Sequence, residues 1–69
     1  MTELDLRQAA QRERAGDTLR ELGKRERARS EYIIAATLYA GAGEQSASVR
    51  ASGKARRLRF VSLATLLNP

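Results

Sequence analysis

The chain has 69 residues, of which 42% are hydrophobic, 30% are charged and 4% are aromatic, and its formal net charge is +5. This balance predicts one globular domain with an aliphatic core. The absence of Cys and His excludes disulfides and thiolate metal sites, and removes the commonest general base. We therefore expect a protein that is not an enzyme and has no cofactor, metal or small-molecule substrate.

The first predicted element is a helix from about residue 3 to 22. Thr2 and Asp5 resemble a capping box at its start, and Gly23 provides a natural stop. One face of this helix carries three acidic residues spaced four apart: Glu13, Asp17 and Glu21. Like charges at this spacing repel one another, so the face is a candidate surface for a basic partner. The alternative is a solvated face neutralised by nearby arginines.

A second helix is predicted from about residue 25 to 39. Ala28, Tyr32, Ala35 and Tyr39 recur at steps of three or four and form its apolar face. With the first helix it predicts an antiparallel hairpin over about residues 3–39. The glycine-rich stretch at residues 41–43 is predicted to be a loop.

A third helix is predicted from about residue 44 to 67, with Gly53 as the point where a kink or break is most favoured. Its middle carries five basic residues within ten positions: Arg50, Lys54, Arg56, Arg57 and Arg59. These bases could contact nucleic-acid phosphates, although Phe60 is the only ring nearby. Alternatively, they pair with the acidic face of the first helix inside the bundle or form a solvated face, and the sequence favours these roles while leaving nucleic-acid contact open.

The end of the third helix is apolar on more than one side. The residues that we expect to contact a protein partner or a second copy are Leu58, Phe60, Val61, Leu63, Leu66 and Leu67. A bundle of this size can cover only one face of such a helix. The pattern therefore predicts self-association or a protein partner.

Small residues and one aromatic follow a fixed order in the hairpin: Gly16, Gly23, Ala28, Tyr32 and Ala35. This order resembles the tetratricopeptide repeat, a helix-turn-helix unit of about 34 residues, here over roughly residues 9–42. The chain departs from the repeat at four of its Trp, aromatic and Pro positions: Arg12, Leu19, Arg25 and Ala40. In length the chain is similar to a microtubule-interacting and transport domain, a three-helix bundle with a related first hairpin.

The resemblance implies close packing of the two helices and a ligand groove along the first helix. The groove positions of the family fall on Ala10, Glu13, Asp17, Arg20 and Glu21. They would make a mostly acidic groove.

The N-terminal residues and the hydropathy pattern predict a cytoplasmic protein that does not enter membranes. Glu3 and Asp5 are acidic where a signal peptide is basic, and no apolar run reaches the roughly 18 residues of a membrane span.

Together, these observations predict an all-α three-helix bundle over residues 1–69, formed by the repeat-like hairpin and a C-terminal helix. The expected function is that of an adaptor or scaffold module that binds through the apolar end of the third helix, with the acidic face as a second surface. The alternative is a small basic protein that binds nucleic acid through the third helix.

Overall fold

A computed structural model describes the backbone of residues 3–67 and the side chains of residues 3–58. Within these limits the chain forms α1 (Glu3–Glu21), α2 (Arg25–Gly41) and α3 (Gln45–Leu67). The prediction of an all-α three-helix bundle is confirmed. Across residues 3–67, none of the helices combines the length and apolar character that a membrane crossing needs.

Both turns between helices use the same glycine-based helix stop. Gly23 and Gly43 have φ of 78° and 79°, a left-handed conformation that other residues adopt at a cost. At each turn the N–H group after the glycine donates to a carbonyl five residues back, at 2.9 Å: Lys24 to Leu19 and Glu44 to Tyr39. This is the Schellman pattern, which ends a helix abruptly. Each connection is therefore only three residues long.

One boundary differs from the prediction, and one point that the sequence left open, the continuity of the third helix at Gly53, is answered. Helix α2 continues through Gly41 and does not end at residue 39, because only Gly43 needs the left-handed conformation. Helix α3 passes through Gly53 as one continuous element.

Helix α2 lies in the middle and packs against both α1 and α3. The principal extents of the chain are 45 × 20 × 12 Å, and α3 also reaches α1 through Arg50 and Lys54. The hydrophobic core runs along α2 and is made of small residues, two tyrosines and one leucine: Ala9, Ala28, Tyr32, Ala35, Ala36, Tyr39, Ala51, Ala55 and Leu58. Alanine allows the close approach of the helices, and the two tyrosine rings fill the remaining volume.

Gly16 is the point of close approach between α1 and α2. A Cβ atom built at this position would lie 2.6 Å from Cε1 of the Tyr32 ring, which is fully buried. Only a glycine leaves room for the ring there. The pairing of Gly16 with Tyr32 therefore fixes how these two helices cross.

Helix α3 is longer than the helix on which it packs. It has 23 residues against 17 in α2, and Leu58 lies in one buried cluster with Ala28, close to the start of α2. Nine helical residues follow Leu58, whereas only three residues of α2 precede Ala28. The backbone of α3 therefore extends past α2 by about six residues, or about 9 Å.

Candidate functional site

Glu13 of α1 is 7% exposed and lies where the three helices meet. Its carboxylate accepts hydrogen bonds from Oη of Tyr39 on α2, at 2.9 Å, and from Nε and Nη2 of Arg50 on α3, at 2.9 and 2.8 Å. Nζ of Lys54 lies 2.9 Å from the same carboxylate. One side chain of α1 is thus joined to both other helices.

Asp17, one turn along α1, repeats this arrangement. It accepts a hydrogen bond from Oη of Tyr32 at 2.5 Å and one from Nζ of Lys54 at 3.1 Å. Arg20 approaches the same carboxylate at 3.7 Å. Each tyrosine thus bonds one α1 carboxylate, and Lys54 pairs with both carboxylates.

The two cations also lie over the tyrosine rings. The Arg50 guanidinium is 5.6 Å from the centre of the Tyr39 ring, and Nζ of Lys54 is 5.5 Å from the centre of the Tyr32 ring. These distances are within the range of cation–π attraction. We call the six residues the tyrosine–carboxylate network: Glu13, Asp17, Tyr32, Tyr39, Arg50 and Lys54.

The network holds its acids ionised and its phenols neutral. Hydrogen bonds from Arg50, with those from Lys54 and Tyr39, outweigh burial and lower the pKa of Glu13 to about 2. Burial would raise the pKa of Asp17, but bonds from Tyr32 and Lys54 outweigh it and lower that pKa. Burial, reinforced by the neighbouring carboxylate, raises the pKa of both tyrosines.

This arrangement suits a structural clamp better than proton transfer. Both carboxylates are occupied by strong donors, and at neutral pH a carboxyl with a pKa near 2 is a weak proton acceptor. Among the residues with described side chains, no buried side-chain nitrogen or oxygen lacks a hydrogen-bond partner. Over the same residues, no group of three or more acidic side chains is placed to hold a metal ion.

The predicted acidic and basic surfaces meet each other inside the chain. Glu13 and Asp17 pair with Arg50 and Lys54, which is the internal alternative that the sequence left open. Of the predicted surface residues outside the network, Glu21, Arg56 and Arg57 are exposed, and the Arg59 side chain lies outside the described residues. Two of the five positions at which the repeat resemblance placed a ligand groove, Glu13 and Asp17, therefore bond to α3.

The predicted apolar contact residues divide into two groups. Leu58 is 8% exposed and belongs to the core, where it packs with Ala28, Tyr32 and Ala55. The others lie on the helical backbone of α3, and their side chains are outside the described residues: Phe60, Val61, Leu63, Leu66 and Leu67.

The sequence did not predict an open groove of about 540 Å³ that lies between α1 and α2. Its α1 wall is formed by Gln8, Gln11, Arg12 and Ala15, and its α2 wall by Glu31, Ile34 and Leu38. The i, i+3, i+4, i+7 spacing of the α1 residues is a usable signal for one helix face, but it does not reveal that the opposing walls remain apart.

The roles of the two tyrosine hydroxyls were also missed. The signal for them was the matched spacing of Glu13 and Asp17 with Arg50 and Lys54, four residues in each pair, with two tyrosines between them in the chain.

The chain matches no protein-family model, and neither curated proteins nor solved structures give a significant match to it.

Proposed function

We propose that this chain is a non-catalytic interaction module that binds another protein chain through the end of α3. The observation that carries the proposal is the extension of α3 past α2 by about six helical residues. The extended part falls within residues 60–67, which contain no charged residue. This uncharged helix end lies beyond α2. A partner that covers its apolar residues therefore stabilises it.

The size of the expected gain is consistent with specific binding. Complete burial of one large apolar side chain contributes about 1.5–3 kcal/mol, and the extended part contains three such residues: Leu63, Leu66 and Leu67. A few of them, once buried, offset the loss of translational and rotational freedom on association.

The nucleic-acid alternative receives less support from the geometry. Arg50 and Lys54, two of its five proposed bases, are engaged with Glu13 and Asp17. A site that loses two of five phosphate contacts loses a large part of its electrostatic affinity. We therefore retain the protein-binding module as the proposed function.

We also propose that the hairpin of α1 and α2 is related to the tetratricopeptide repeat. The support is the contact of Gly16 with Tyr32, since a small residue facing an aromatic is the central contact expected from the resemblance. In this interpretation α3 of the same chain covers the ligand-binding face of α1, and the binding function passes to the end of α3.

The test is a pull-down from the native host at low and high salt. Leu63→Asp and Leu67→Asp place a charge in the apolar end, and Thr65→Asp adds the same charge at a polar position of the same segment. We expect the wild type and Thr65→Asp to retain a protein partner at both salt concentrations and the two leucine variants to lose it. Circular dichroism checks that each variant is folded.

Two results would overturn the proposal. One is retention of the same partner by both leucine variants. The other is capture of nucleic acid alone, released by high salt, which would support the alternative.

A further inference from the structure

We propose that the groove between α1 and α2 binds the end of α3 from a second copy of this chain, so that copies associate head to tail. This inference rests on the proposed function and names the partner. We define the end of α3 as residues 60–67.

The groove is lined by apolar side chains, amides and one ion pair. Ala15, Ile34 and Leu38 supply its apolar surface, and Ile34 is 38% exposed. Gln8 and Gln11 supply amides, which can hydrogen bond without adding charge. A groove between two helices with this composition is typical of sites that accept a helix.

Electrostatics disfavours a basic occupant. The two charged residues of the groove, Arg12 and Glu31, lie 3.1 Å apart and neutralise each other. Arg7 and Arg14, both exposed, lie beside the groove on the outer face of α1 and would repel a basic segment. Two chains of charge +5 also repel each other, so a contact between copies is favoured at neutral surfaces. The uncharged end of α3 meets this requirement.

The groove and the part of α3 that extends past α2 have similar lengths. The groove residues span seven residue steps on α1, from Gln8 to Ala15, and seven on α2, from Glu31 to Leu38, which is about 10 Å along a helix. The extended part of α3 is about six residues, or about 9 Å, long. The groove is therefore long enough to accept it.

The end of α3 cannot enter the groove of its own chain. Helix α3 pairs with Glu13 and Asp17, and successive helical residues are about 100° apart, which places Ala15 about 200° from Asp17 around α1. The groove thus opens on the side of α1 away from the helix that would have to reach it. The contact must be made between copies, and because groove and end are different surfaces, the association is head to tail.

The test uses two variants, each of which damages one of the two contacting surfaces. Ile34→Asp damages the groove and leaves the end of α3 intact, whereas Leu63→Asp damages the end and leaves the groove intact. Ile33→Asp is the matched control, because Ile33 is 45% exposed but does not line the groove. Sedimentation velocity over a range of concentrations measures association, and circular dichroism checks the fold.

We expect the wild type and Ile33→Asp to associate and each of the other two variants to be monomeric. The association constant should fall at least about 100-fold in those two, because an unpaired carboxylate would have to be buried. A one-to-one mixture of Ile34→Asp and Leu63→Asp should form a heterodimer, in which the intact end of one enters the intact groove of the other.

The possible failures are distinguishable. If Ile34→Asp associates as the wild type does while Leu63→Asp is monomeric, the groove is not the site, although α3 still mediates binding. A mixture that stays monomeric also overturns the head-to-tail contact, and so does a wild type that is monomeric at every concentration. If Leu63→Asp associates normally, the role of α3 itself is overturned.

Discussion

The two sides of α1 are built from different kinds of residue. On one side, Glu13 and Asp17 bond to tyrosines of α2 and cations of α3, and this surface is closed. On the other side, Gln8, Gln11 and Ala15 form one wall of an open groove. The closed side is held by several partly buried ion pairs, whereas the open side contains one exposed pair, Arg12 with Glu31.

We infer that one side of α1 stabilises the fold and that the other side is available to bind a partner. In a chain with a small alanine-rich core, the tyrosine–carboxylate network joins α1 to α3, two helices that share few other contacts. Gln8, Gln11 and Arg12 of the groove are exposed, so we expect their substitution to cost little stability. We expect substitutions on the two sides of α1 to have very different effects on stability.

The largest effect is expected from Glu13→Ala. It removes the carboxylate bonded to Tyr39, Arg50 and Lys54, and we expect a loss of about 3–4 kcal/mol in the free energy of unfolding. Urea denaturation measures the loss. Glu21→Ala removes an exposed carboxylate of the same helix and should change stability by less than about 0.5 kcal/mol. Equal effects of the two substitutions would contradict a clamping role.

The next largest effect is a pH dependence of about 3 kcal/mol. The pKa of Glu13 is about 2 in the folded chain against an ordinary value of 4.5. Because the folded pKa is the lower one, its stabilisation is complete above about pH 4.5 and is lost as the pH falls towards 2. Thermal unfolding at a series of pH values measures this loss. Glu13→Gln should show a much shallower acid dependence, and an unchanged profile in that variant would exclude Glu13 as its source.

Two helical glycines should respond to alanine with opposite signs. Gly16→Ala places a methyl group against the Tyr32 ring, which is held by Asp17, and should destabilise the fold by about 1–3 kcal/mol. At Gly53 a Cβ meets no atom within 4 Å, so Gly53→Ala should stabilise α3 by about 0.5–1 kcal/mol. Chemical denaturation of both variants checks the signs, and the same sign in both would argue against the close crossing at Gly16.

The smallest effect is expected on the groove side. Arg12 and Glu31 pair at 3.1 Å, but half of the Arg12 side chain is exposed, so Arg12→Gln should cost no more than about 0.5 kcal/mol. The same denaturation experiment compares it with Glu13→Ala. A cost similar to that of Glu13→Ala would remove the contrast between the two sides of α1.

The helix boundaries were largely predictable because the residues that end a helix act locally. Gly23 ends α1 where expected, since a glycine after an apolar stripe supplies the left-handed residue of the stop. In the stretch with Gly41 and Gly43, the sequence does not indicate which glycine takes that conformation, and α2 proved two residues longer than predicted.

The site was only partly predictable because it depends on how helices cross. The spacing of Glu13, Asp17, Arg50 and Lys54 indicated two charged faces, but both pairing and separate surfaces were compatible with it. The choice depends on the position of α3 against α2, which is a matter of long-range packing. The groove depends on space left between walls, and sequence periodicity carries no information about that.

The two three-residue turns also have a consequence for folding kinetics. They make each pair of packed helices adjacent in the chain, and such local contacts favour rapid folding. The bonds from Arg50 to Glu13 and from Lys54 to Asp17 join residues 37 positions apart. We expect these long-range bonds to form after the main barrier, so that Glu13→Ala accelerates unfolding and leaves the folding rate nearly unchanged in stopped-flow measurements. The network would then set how long the folded chain persists, while the turns set how quickly it forms.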